Sequence, residues 1–130
     1  MRARPLLALA GLLVMTSGVP AAAQDREPAH GSPARGFEAK ARKGMAYAQF
    51  RKQVLAAGWQ AEGSEDCAES AGAQTCKALP ELDRCADGTC LMSFTHPDED
   101  AVLRVAAKGS AAAAAKPGTP GVALDDWGFE

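Results

Sequence analysis

The chain has 130 residues, with 14 Lys and Arg against 16 Asp and Glu for a net charge of −2. That length admits one small domain and not two, and that charge excludes a nucleic-acid groove, which needs clustered Lys and Arg to displace counterions. Seven aromatic residues (four Phe, two Trp, one Tyr) supply little bulk for a core, so crosslinks are expected to carry part of the stability.

The chain opens with basic Arg2 and Arg4, continues with an apolar stretch from Leu6 to Met15, and reaches Ala21-Ala22-Ala23 ahead of Gln24. A basic start, a short apolar middle and a small-x-small ending predict a signal peptide over residues 1–23, cut after Ala23. A transmembrane helix needs about 20 apolar residues, and Pro20 interrupts this run too early. No cysteine lies near the cut, so no lipid anchor is expected there. The product is expected to be periplasmic or secreted. Removing Arg2 and Arg4 leaves 12 basic groups against 16 acidic ones, and residues 44–130 alone hold seven basic and 13 acidic groups. Such a surface suits solubility or a basic partner.

Residues 24–43 mix Pro, Gly, Ser and charge with one aromatic, Phe37. Their apolar content is too low for independent folding, which predicts a flexible N-terminal arm. A single domain over residues 44–130 follows. From Met45 to Ala57, the apolar residues Tyr47, Phe50, Val54 and Ala57 step by three, four and three, which places them on one face of a helix. Gly58 supplies the left-handed residue that commonly ends a helix, and Trp59 turns onto the core. Residues 61–77, rich in Gly, Ser, Glu and Ala, read as an irregular loop, and residues 80–84 continue it.

Four cysteines, Cys67, Cys76, Cys85 and Cys90, form an even set in a short exported chain, which predicts two disulfides. Of the three possible pairings, Cys67–Cys76 with Cys85–Cys90 closes the shortest loops, and Asp87-Gly88 places a turn inside the second. Each such loop adds roughly 2–3 kcal/mol at most. The spacing of Cys85 and Cys90 is not the Cys-x-x-Cys of thiol oxidoreductases.

Residues 90–95 and 101–106 read as two strands around a turn at residues 96–100, with Leu103 and Val105 inward and Arg104 outward. Residues 108–121 are low in complexity and read as a short mobile loop. Residues 122–130 read as a last strand that turns Trp127 and Phe129 inward. The predicted fold class is α+β: one amphipathic helix packed on a small antiparallel sheet of about three strands, with two disulfides and long loops.

Gly44-Met45-Ala46-Tyr47, with Arg51, Leu55 and Gly58-Trp59, resembles the opening helix of small exported proteins of the SmpA/BamE and β-lactamase-inhibitor-protein type. The chain also resembles small periplasmic proteins of Gram-negative bacteria in which a Gly-Trp precedes four cysteines and a strand hairpin. The resemblance implies a helix on a short antiparallel sheet.

Catalytic readings find little support. The cysteines are committed to crosslinks rather than held as thiolates beside a base. His96, Asp98, Glu99 and Asp100 lack the spacing of a calcium loop, so no metal site and no cofactor is expected. No Gly-x-Ser-x-Gly precedes a helix to place a nucleophile, and Asp125 and Asp126 point to opposite faces of a strand. The expectation is a non-catalytic periplasmic binding or interaction protein, such as an inhibitor, an immunity-type partner or an envelope accessory factor. Its contact surface is expected at the acidic hairpin tip, Asp98, Glu99 and Asp100, beside the 108–121 loop. The alternative is a small secreted hydrolase or ligand-carrying protein.

Overall fold

The computed structural model describes residues 27–130; residues 1–23, where the sequence predicts a signal peptide, lie outside the described residues. It is an α+β fold with a small antiparallel sheet. In chain order it holds a 3-10 helix Pro33–Ala39, α1 (Tyr47–Ala56), β1 (Gln60–Ala61), α2 (Cys67–Ala71), α3 (Ala73–Ala78), β2 (Leu82–Ala86), β3 (Thr89–His96), β4 (Glu99–Lys108), α4 (Ala111–Ala115) and β5 (Ala123–Phe129). The sheet has five strands in the order β1-β3-β4-β5, with β2 also paired to β3, rather than about three.

Helix α1 forms where the apolar spacing predicts, and Tyr47, Phe50 and Val54 are fully buried on one face. Ala57 falls just beyond it as the C-cap and is only half-buried. Gly58 then takes φ +94°. Its lack of a side chain is needed twice over, because a Cβ there would sit 2.6 Å from His96 Nε2.

The N-terminal arm is a correction. Residues 33–39 coil into a 3-10 helix whose Ser32 side chain accepts a hydrogen bond from the Ala34 N–H. Phe37 is buried and meets the Phe50 ring edge-on at 5.6 Å. Trp59 donates its indole N–H to the Ala34 carbonyl at 2.7 Å, and Arg35 lies over the Phe129 ring. The segment cannot form a core alone, but a single aromatic inserted between α1 and β5 is enough to tie it down.

Residues 61–77 are likewise more ordered than a loop. Alanine-rich stretches with high intrinsic helix propensity form α2 and α3, broken at Gly72 (φ +86°). The Cys67–Cys76 disulfide joins the pair. Strand β2 also arises where a loop was expected. Its Leu82 pairs with Met92 of β3 and its Cys85 lies opposite Cys90. Asp87 (φ +54°) and Gly88 (φ +77°) make the two-residue turn whose twist suits a hairpin. All four cysteines are thus paired as neighbours, which fits a protein outside the reducing cytoplasm.

β3 and β4 pair along their whole lengths. Leu103 and Val105 are buried and Arg104 faces out, as the alternation requires. The 108–121 segment contains a helical turn, α4, capped by the Ser110 hydroxyl, which accepts from the Ala113 N–H at 3.1 Å. Ala114 of that turn is buried, so the segment is a packed corner and not a mobile loop. In β5, Trp127 and Phe129 face the core and are half-buried against it. Phe129 stacks on Trp59 at 5.8 Å and Trp127 packs on Phe50 at 5.9 Å. Among the described residues no helix is long and apolar enough to cross a membrane.

Candidate functional site

The expected contact tip divides on inspection. Asp98 and Asp100 are exposed, but Glu99 is half-buried and its carboxylate accepts a hydrogen bond from the Ser32 hydroxyl at 3.0 Å. The neighbouring His96 accepts from the Asp98 N–H at Nδ1 and lies 3.0 Å from the Ala57 carbonyl at Nε2. Both ring nitrogens are therefore held by backbone, with the proton on Nε2. Among the described residues no three His, Cys, Asp or Glu side chains converge on one point. Nor does the tip lie beside the 108–121 segment. Residues 97–98 precede β4 and residue 108 ends it, so the length of that ten-residue strand puts them roughly 30 Å apart.

The side chains that do come together lie on the outer face of the sheet. Arg104 projects from the middle of β4 and reaches three groups. Its Nη1 donates to the Ser93 hydroxyl at 2.6 Å and to Asp83 Oδ2 at 3.3 Å, and its Nε donates to Glu130 Oε2 at 3.0 Å. Ser93 in turn donates to Asp83. Ser93 is buried and uses its hydroxyl both ways, so it bridges Arg104 to Asp83. Around this cluster lies a shallow groove of about 450 Å³, whose lining includes Leu91, Ala106 and Asp126. Every residue that lines it belongs to the sheet or directly follows β5. No helix of the described residues lines this groove.

A second cluster sits under α1. Tyr47 and Arg51, one turn apart on the helix, share a face, and both grip Glu81 at the entry to β2. Tyr47 donates to Oε1 at 2.9 Å, Arg51 Nε to Oε1 at 2.5 Å and Arg51 Nη2 to Oε2 at 3.3 Å. Glu81 is completely buried, and Arg51 is partly exposed. Burial pushes the Tyr47 phenol well above its ordinary pKa, and the charge and hydrogen bond of Glu81 add to the effect. The hydrogen bond to Glu81 likewise raises the Arg51 guanidinium. This arrangement accounts for the tyrosine-to-arginine spacing of the α1 motif. Glu81 escaped notice in the sequence, because nothing local distinguishes it from the other acids of a polar stretch.

Tyr47 is the chain's sole tyrosine, so its titration can be read directly. Its folded pKa lies above the unfolded value of about 10. Its contribution to stability is therefore complete below that pH and is lost as pH rises through the folded value. The native protein is expected to show no phenolate absorbance until it unfolds. Above about pH 10, this one group should lower stability by about 1.4 kcal/mol per pH unit. That increment should be missing in Tyr47→Phe. Phenolate appearing at an ordinary midpoint in folded protein would contradict the buried contact.

No family model, curated protein or solved structure matches this chain.

Proposed function

We propose that the chain is an exported, non-catalytic interaction domain that works in the periplasm by docking a basic protein onto the open face of its sheet. The observation that supports this reading is the groove around Arg104, with half-buried apolar side chains at its floor and Asp83, Asp126 and Glu130 along its edge. Binding patches combine an apolar centre with a polar rim, and acidic groups at a rim steer a basic partner on approach. The exposed Asp98 and Asp100 extend the same charge towards the hairpin tip. The likeness of residues 44–59 to the helix of SmpA/BamE-type and β-lactamase-inhibitor-type proteins belongs to the same reading.

The test uses the full chain expressed with its leader, carrying a photo-crosslinking amino acid at Ala106 in the groove or at Lys52 on the exposed side of α1. The exported product is expected to have the mass of residues 24–130. Ala106 should give a discrete protein adduct whose yield falls as salt rises, and Lys52 should give none. A folded, processed protein that forms no adduct from Ala106 would overturn the docking face. Turnover of a substrate by purified protein, abolished by one point change, would overturn the non-catalytic assignment.

A further inference from the structure

On the helical side, α1, the end of α3 with the following Leu79, and the 114–119 segment enclose a cleft of about 460 Å³, within the size range of small-ligand sites. Its walls carry Arg51, Lys52 and Lys116 and no carboxylate. Residues 44–130 hold only seven basic groups against 13 acidic ones, so three of the seven gather on one cleft of an otherwise acidic domain. The rest of the lining is small and apolar, with Leu79 and Ala114 buried beneath it.

Two polar groups in this cleft are placed but unused. The Arg51 guanidinium is fixed from behind by Glu81 through Nε and Nη2, which leaves Nη1 with no acceptor among the described residues. Thr119 is only 7% exposed, and its hydroxyl oxygen is buried without a hydrogen-bond partner among the described residues. A buried hydroxyl is costly to leave unpaired, so each such case calls for an explanation. Thr119 is also held at φ +44°, a left-handed conformation that a β-branched residue seldom adopts. Its N–H donates to the Lys116 carbonyl at 2.9 Å, closing the turn that holds both residues at the cleft. Strained, unsatisfied groups of this kind collect at ligand sites.

We propose that this cleft binds a small organic monocarboxylate with an apolar body. The carboxylate accepts a hydrogen bond from Arg51 Nη1, faces the Lys52 and Lys116 ammonium groups, and takes a second hydrogen bond from the Thr119 hydroxyl as the Lys116–Thr119 turn shifts to uncover it. The alkyl portion lies against Ala48, Leu79 and Ala114. A carboxylate fits better than a phosphate because Glu81 already neutralises much of Arg51, and because the remaining surface favours hydrocarbon over a second charge. The site is separate from the outer face of the sheet and stands whether or not a protein docks there.

The test is amide NMR of the processed, oxidised protein titrated with sodium octanoate below its micellar range, with octanol, acetate and inorganic phosphate as controls. Octanoate is expected to saturate with shifts centred on Arg51 and residues 114–119, at least tenfold tighter than octanol or acetate. Phosphate should not displace it. Lys116→Gln and Lys52→Gln, both on exposed side chains, should each weaken binding several-fold with the fold retained. Thr119→Gly, which suits the left-handed backbone, should do the same by deleting the hydroxyl. Equal affinity for octanol would reduce the cleft to an apolar patch, and displacement by phosphate would make it a general anion site. Shifts centred elsewhere, or affinity untouched by Lys116→Gln, would remove the site altogether.

Discussion

Phe50→Ala is expected to lower the unfolding free energy by about 3–5 kcal/mol, the range for deleting a buried aromatic side chain. Phe50 is fully buried where three other rings meet, with Phe37 at 5.6 Å, Trp127 at 5.9 Å and Tyr47 at 6.5 Å. Removing it therefore opens a cavity lined by those three rings. Phe37→Ala should cost a comparable amount, although that residue belongs to a segment whose composition reads as a tail. Because the two rings touch, the double variant should lose less than the sum of the single ones. Lys52→Ala, two residues along α1 on the exposed side, should cost under about 0.5 kcal/mol. Urea unfolding of the four proteins checks all of this. A Phe37→Ala protein as stable as the parent would mean that the 33–39 segment is not part of the core in solution.

Arg51→Met is the second large expected effect. The substitution keeps the length and apolar character of the side chain but strips Glu81 of its charge partner, and Glu81 has no solvent exposure of its own. Removing one member of a buried pair leaves an uncompensated charge and typically costs about 3–5 kcal/mol. Tyr47 still donates to Glu81, so the lower end of that range is the expectation. Replacing both residues, Arg51→Met with Glu81→Leu, should recover much of the loss, because a buried pair exchanged for apolar groups is often nearly neutral. Denaturant midpoints of the single and double variants separate the outcomes. A double variant no more stable than Arg51→Met would show that the cost lies in lost packing and not in the orphaned carboxylate.

The two predictions draw on different kinds of information. The Tyr47, Phe50 and Val54 stripe and the Gly58 stop were legible because they depend on local periodicity and on a backbone angle only glycine adopts easily. The disulfide pairing was legible for the same reason: neighbouring cysteines around an Asp-Gly turn need no distant partner to meet. The β3–β4 hairpin with its outward Arg104 follows from alternation within each strand.

Glu81, Phe37, β2 and α4 were not legible, and each fails in the same physical way. Phe37 becomes a core residue because α1 and β5 leave a space for one ring. Leu82–Ala86 becomes a strand because the apolar β3 offers it an unpaired edge. Ala111–Ala115 coils because Ala114 packs inward and Ser110 caps the turn. Glu81 is singled out from the other acids by Tyr47 and Arg51, 34 and 30 residues earlier in the chain. Where the chain bends, caps and crosslinks could be read from the residues alone, since those features depend on a residue and its near neighbours. Which polar groups are buried together, and which residues line the groove around Arg104, could not be read that way, because burial depends on what arrives from far along the chain.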